Sequence, residues 1–266
     1  MLRDFRIHPL LATSDATRAR AWYADKLGLE PVFERDGQLV YSVPPTVFTV
    51  YHTPSAGTAQ NTVAVWRVDD LRAEMARLRA RGVMFEELDF GPEDRTVDGI
   101  MTSLDGPREI LNAWFRDVDG NWISFVQQPP EPGVEPPEPG VSPMLAASDL
   151  GRARAWYSEK LGLEPTWHYD GELLVYRSGQ THLSIYATPS AGTARNTVAE
   201  WHVDDLRAEV AALRARGVVF EEYDFGTSRT IDGVLTDSDD GSLNAWFTDS
   251  EGSILGLVEG QGDHMT

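Results

Sequence analysis

The chain has no cysteine among its 266 residues. That excludes disulfides, thiolate nucleophiles and cysteine-based metal centres. It also lacks any apolar stretch near the ~20 residues a membrane span needs, so no membrane partner is expected. The opening residues, Met1-Leu2-Arg3-Asp4-Phe5-Arg6, lack the apolar run of a signal peptide, and a cytoplasmic location is expected. Positive charge is scarce: 23 Lys and Arg stand against 42 Asp and Glu, a formal charge of −19. Nucleic-acid binding rests on Lys and Arg against phosphate, so that partner is not expected either. An acidic chain of this kind is soluble and steers cationic small molecules inward. No phosphate-cradling loop, nucleophile elbow or dinucleotide fingerprint is present.

What the chain does have is a repeat. Ala21-Trp22-Tyr23-Ala24-Asp25-Lys26-Leu27-Gly28-Leu29-Glu30-Pro31 returns as Ala155-Trp156-Tyr157-Ser158-Glu159-Lys160-Leu161-Gly162-Leu163-Glu164-Pro165. Thr53-Pro54-Ser55-Ala56-Gly57-Thr58 returns at 188–193, and Asn112-Ala113-Trp114-Phe115 at 244–247. The offset, about 134 residues from Asp15 to Asp149, is too long for a solenoid unit, whose period is roughly 20–50 residues. Two equal domains follow, 1–126 and 141–266, joined by a Pro/Glu/Gly-rich linker over 127–140 whose composition favours an extended spacer.

Within each half, strand-like and helix-like patterns alternate. In the first half, helices are expected at Ala16–Lys26, stopped by Gly28, and at Leu71–Arg81, stopped by Gly82. Strands are expected at Phe5–Ala12, Pro31–Glu34, Gln38–Val43, Val47–His52, Thr62–Val68, Val83–Leu88, Ile110–Arg116 and Trp122–Val126. Each half is thus βαβββ–βαβββ, and the chain carries four such modules.

The ordered set Ser14-Asp15…Trp22-Tyr23…Leu27-Gly28-Leu29, Val68-Asp69-Asp70-Leu71…Gly82-Val83 and Trp114-Phe115-Arg116-Asp117-Val118-Asp119-Gly120-Asn121, present twice, resembles the vicinal oxygen chelate superfamily of glyoxalase I, bleomycin-resistance proteins and extradiol dioxygenases. The resemblance implies an α+β fold of two tandem domains, each a pair of βαβββ modules whose mixed sheet curls into a cup, related by a pseudo-two-fold. It also implies that metal-using members take ligands from the first, fourth, fifth and eighth strands. Carried over, those positions fall on His8 (Ser142 in the second copy), on fourth strands without Asp or Glu, on Val63 (Val198), and on Ser124 (Gly256). No metal site and no cofactor are therefore expected.

Strand alternation then selects candidates for the cup face. If Val63 points into the cup, so do Val65 and Arg67; in the second copy that face carries Glu200 and His202. A His beside a carboxylate is suited to acid–base work, because the carboxylate raises its pKa. His8, Glu200 and His202 are the candidate catalytic residues. Candidate ligand-binding residues are Arg67, Trp122, Ser124, Tyr41, His52, Trp114, Tyr176 and Trp246, several of them offering aromatic surface. Asp98 and Asp232 either close over a cup or form turns. The expected function is metal-independent binding of a small aromatic or cationic compound, as in bleomycin-resistance sequestration. The alternatives are a metal-independent isomerase, cyclase or lyase of small-molecule or natural-product metabolism, and a metal-dependent glyoxalase-like or dioxygenase-like enzyme. A monomer with an internal pseudo-dimer is expected, a homodimer being the alternative.

Overall fold

A computed structural model describes residues 2–89, 91, 95–105, 108–129, 140–169, 171–238 and 240–260. The first half contains β1 (Ile7–Thr13), α1 (Ala16–Trp22), β2 (Phe33–Arg35), β3 (Gln38–Val43), β4 (Thr46–His52), β5 (Thr62–Arg67), α2 (Leu71–Ala80), β6 (Met101–Asp105), β7 (Arg108–Arg116) and β8 (Trp122–Gln127). The second contains β9 (Gly140–Ala147), α3 (Leu150–Trp156), β10 (Pro165–Tyr169), β11 (Leu173–Ser178), β12 (Thr181–Ala187), β13 (Thr197–His202), α4 (Leu206–Ala215), β14 (Val234–Thr236), β15 (Leu243–Thr248) and β16 (Ile254–Glu259). Each helix begins at an aspartate whose carboxylate accepts a backbone N–H three residues on: Asp15, Asp70, Asp149 and Asp205. Most of the expected linker, residues 130–139, lies outside the described residues. No described helix is long and apolar enough to cross a membrane.

The strands form two eight-stranded mixed sheets, ordered β14-β15-β16-β13-β1-β4-β3-β2 and β10-β11-β12-β9-β5-β8-β7-β6. Each sheet takes one module from each half of the chain. The two meet where β1 pairs antiparallel with β13 (His8 opposite Glu200) and where β5 pairs antiparallel with β9 (Val65 opposite Ser142). This exchange of modules decides the functional geometry, because it places the start of the chain beside residues nearly 200 positions away.

One expected strand is corrected. Val83–Leu88 forms only an isolated bridge, Phe85 with Phe115, and the sixth strand is Met101–Asp105, paired with β7. Phe85 instead packs edge-on against Phe115, their ring centres 5.8 Å apart.

The side chains sort by alternation. One face of each sheet packs into the core under the helices: Leu39, Tyr41, Phe48, Val50, Trp201 and Phe247 in the first sheet, and Leu111, Phe115, Phe125, Tyr176, Leu183 and Ile185 in the second. Fully buried phenylalanines such as Phe48 and Phe115 each contribute about 2 kcal/mol of transfer free energy. Two buried carboxylates tie the helical layer to the closing hairpins: Tyr23 donates to Asp117 at 2.8 Å and Tyr157 to Asp249 at 2.9 Å. Burial raises the pKa of both acids against their hydrogen bonds. The opposite face of each sheet lines a cup.

Candidate functional site

The floor of the first cup is set by four strands in register. Trp246 on β15 stands opposite Gly256 on β16, Gly256 opposite Glu200 on β13, and Glu200 opposite His8 on β1. His202 follows Glu200 by two residues and shares its face. His8 Nε2 lies 3.0 Å from Glu200 Oε1 and 3.2 Å from His202 Nε2; His202 Nε2 lies 3.6 Å from the same carboxylate oxygen. The imidazole centres are 4.4 Å apart and tilted by 33°. The three side chains named from the sequence as catalytic candidates thus converge on one point.

The site has a closed floor and an open side. His8 is 3% exposed, whereas Glu200 and His202 are 16% and 18% exposed. Gly256 makes room for the carboxylate, since a Cβ there would sit 3.2 Å from the Glu200 Cβ. Burial lowers the pKa of His8, the neighbouring His202 lowers it further, and Glu200 opposes both. For Glu200, burial favours protonation, but hydrogen bonds from His202 and His8 outweigh it and hold the acid below its ordinary value. The resting pair is a carboxylate beside a neutral His8.

Two separate two-centre hydrogen bonds do not account for this triangle, although one His8 Nε2–H shared between Glu200 Oε1 and His202 Nε2 would. A neutral imidazole Nε2 is either a donor or an acceptor. If His8 Nε2–H donates to Glu200, it has no lone pair to offer His202. If it accepts from His202, its lone pair faces a carboxylate. A shared cation fits the triangle as well. Two ligand atoms each about 2.1 Å from one ion, at roughly 90–110°, are separated by about 3.0–3.4 Å, close to the three observed separations. His8, Glu200 and His202 form a metal-compatible group of donors within 4.8 Å of one another, and two imidazoles with one carboxylate suit a first-row divalent ion.

An aromatic wall closes one side. Trp246 is flanked edge-on by Tyr223 and Phe225, with ring centres at 5.6 and 6.0 Å. Tyr223 and Phe225 belong to a loop that the sequence reading did not select. The aromatic spacing Tyr-x-Phe near a cup tryptophan was the available signal.

The second cup has the same row with different chemistry. Trp114 stands opposite Ser124, Ser124 opposite Val65, and Val65 opposite Ser142. Arg67 takes the place of His202. Trp122 is on this face too, its ring covered by the Arg116 guanidinium at 4.0 Å.

Other candidates lie elsewhere. Tyr41 and Tyr176 are fully buried in the core, on the side of the sheet away from the cup; Tyr41 stacks on Phe48 at 4.9 Å. His52 is exposed at the end of β4, in phase with core residues Phe48 and Val50 rather than with the cup. Val63 and Val198 join the core at a bulge in β5 and β13, so the spacing that points to them as a ligand position misses the cup. Asp98 and Asp232 are turn residues with positive φ; their carbonyls accept from Arg79 and Arg214.

Residues 6–125 and 141–239 match the family model described as Glyoxalase/Bleomycin resistance protein/Dioxygenase superfamily. No curated protein sequence matches the chain. Among solved structures, glyoxalase I from Zea mays is similar with a TM-score of 0.67 at 15% identity, over 95% of this chain and 91% of that one. A putative dioxygenase from Bacillus subtilis subsp. subtilis str. 168 is similar with a TM-score of 0.60 at 15% identity, over 99% and 87%. At such identity the likeness is one of fold.

Proposed function

The chain belongs to the glyoxalase/bleomycin resistance protein/dioxygenase superfamily, and from that premise we propose that it is an enzyme working in one of its two cups. The observation that carries this reading is the triangle of His8 Nε2, Glu200 Oε1 and His202 Nε2. Those three residues would hold a divalent ion, which would supply Lewis acidity toward substrate oxygens. Three protein donors would leave room beside such an ion for substrate oxygens, and the substrate class this reading favours is a small molecule with two adjacent oxygens, its flat part against Trp246, Tyr223 and Phe225.

The chain's own groups then divide the work. Oε1 of Glu200 lies beside the Nε2 atoms of His8 and His202 and would join them in holding the ion. Oε2 makes no hydrogen bond among the described residues and borders the space over Gly256, 3.7 Å from where a Cβ would stand. Being ionised, it accepts a proton from the substrate and returns it, as a positioned carboxylate does. The aromatic wall offers a stacking surface to the substrate's flat side.

A second reading, sequestration without turnover, is supported by the same aromatic wall, which needs only stacking. Proton NMR of a panel of α-hydroxyketones, α-keto acids and catechols, incubated with the protein, separates the two. The enzyme reading expects at least one compound to be converted, with the rate falling at least 100-fold in Glu200→Gln, an effect typical of losing a general base. Compounds bound and recovered unchanged would leave sequestration.

A further inference from the structure

The second cup carries chemistry that the proposed reaction does not use. Its five central strands, β5, β8, β9, β11 and β12, contain no Asp or Glu, in a chain with 42 acidic residues. Their charged and titratable members near the cup are Arg67, Arg177, His182 and Tyr186, whose hydroxyl accepts from the Thr62 backbone N–H at 2.9 Å. Arg67 shares the face of Val65, and its Nε is buried without a hydrogen-bond partner. Among the described residues its one hydrogen bond is a long one, from Nη1 to Gln128 Oε1 at 3.4 Å, and it has no carboxylate partner there. A cation taken out of water without a counter-charge is costly, and Arg is the side chain whose planar fork fits a two-oxygen anion.

We propose that the second cup is a binding site for a small organic anion, its carboxylate or phosphate group held by Arg67 and its apolar body resting on the cup face. The buried hydroxyls of Ser124, Ser142 and Ser184 share that face and add neutral donors. Val65, opposite both Ser124 and Ser142, supplies apolar surface beside them, and Trp114 ends the row. A pocket of this make-up, mostly apolar with a few convergent polar groups, is the ordinary form of a small-molecule site. Burial pulls the Arg67 guanidinium down only to about 10, so it stays charged at neutral pH. Burial, then the charges of Arg67 and Arg177, lower His182 to about 4 and keep it neutral. The site thus presents one buried cation to one anion. It is independent of the chemistry assigned to His8, Glu200 and His202.

The test is titration of the full chain, by tryptophan fluorescence and calorimetry, with benzoate, phenyl phosphate and, as a cationic control, benzylamine. Saturable binding of benzoate or phenyl phosphate at one per chain is expected, the tighter of the two identifying the head group, with no binding of benzylamine. Arg67→Met should weaken binding at least tenfold. Val65→Glu, which gives Arg67 the carboxylate neighbour that the other cup has in Glu200, should do the same and serves as the second variant. His8→Ala should leave the affinity within twofold. Absence of saturable binding, binding unchanged in both Arg67→Met and Val65→Glu, or loss in His8→Ala instead, would overturn the assignment.

Discussion

The two cups share a backbone and, along one row and the position beside it, differ in four side chains. Along the same row, Trp246, Gly256, Glu200 and His8 in one correspond to Trp114, Ser124, Val65 and Ser142 in the other, and His202 corresponds to Arg67. One arrangement gathers a carboxylate and two imidazoles around a point. The other has no carboxylate in that row and leaves a buried cation. Once duplication supplies the scaffold twice, exchanging a few inward-facing residues gives each cup its own charge, while the outward faces, which hold the core, stay alike. The fold is kept and the chemistry is reassigned, which is how sites relate to folds generally.

The comparison is broken most forcefully by rebuilding one cup in the other. Ser142→His, Val65→Glu and Arg67→His with Ser124→Gly should give a chain that binds two divalent ions instead of one. Calorimetric stoichiometry with Co(II) measures this, and a count that stays at one would mean that the shared row does not suffice.

A smaller effect follows from His182, whose place in the first cup is taken by Val47. Its folded pKa, about 4, lies below the ordinary 6.5, so the unfolded chain takes up the proton first as pH falls. His182 therefore contributes nothing adverse above about pH 6.5 and destabilises progressively between 6.5 and about 4. His8, lowered chiefly by burial, acts with the same sign. Because His182 is partly exposed, we expect about 1–2 kcal/mol from it after allowing for screening. Urea unfolding at pH 7.5 and 5.0 should show a loss in the wild type that shrinks in His182→Val.

The smallest effect concerns what the sheets have in common. The hydroxyls of Tyr41 and Tyr176 are buried without hydrogen-bond partners among the described residues, and burial raises the pKa of each. Tyr41→Phe and Tyr176→Phe should each be neutral or stabilising, within about 1 kcal/mol, and alike in the two sheets. Unequal thermal shifts would show that the difference between the cups extends into the core.

Much of this was legible in the sequence. The repeat, the modules and the aspartate caps are local features, and local features read well. His8, Glu200 and His202 stood out as polar residues in apolar strands. Their convergence was not legible, because strand pairing between modules is non-local: nothing in the composition says that β1 joins β13 rather than β5. The bulge beside Val63 and Val198 shifts alternation by one residue, which moves a side chain to the opposite face. Tyr41 sits among Leu39 and Val40 in a strand buried on both faces, so its pattern carries no phase. The sixth strand at Met101–Asp105 contains Thr, Ser and Asp and offers little hydrophobic signal.

The most direct test of the account is a count of bound metal. Native mass spectrometry of the chain after incubation with Co(II) or Zn(II) and buffer exchange should show one ion per chain, retained by Arg67→Met and lost in Glu200→Gln and in His8→Ala. A chain that holds no ion, or one whose ion survives both Glu200→Gln and His8→Ala, would contradict the assignment of its chemistry to the first cup.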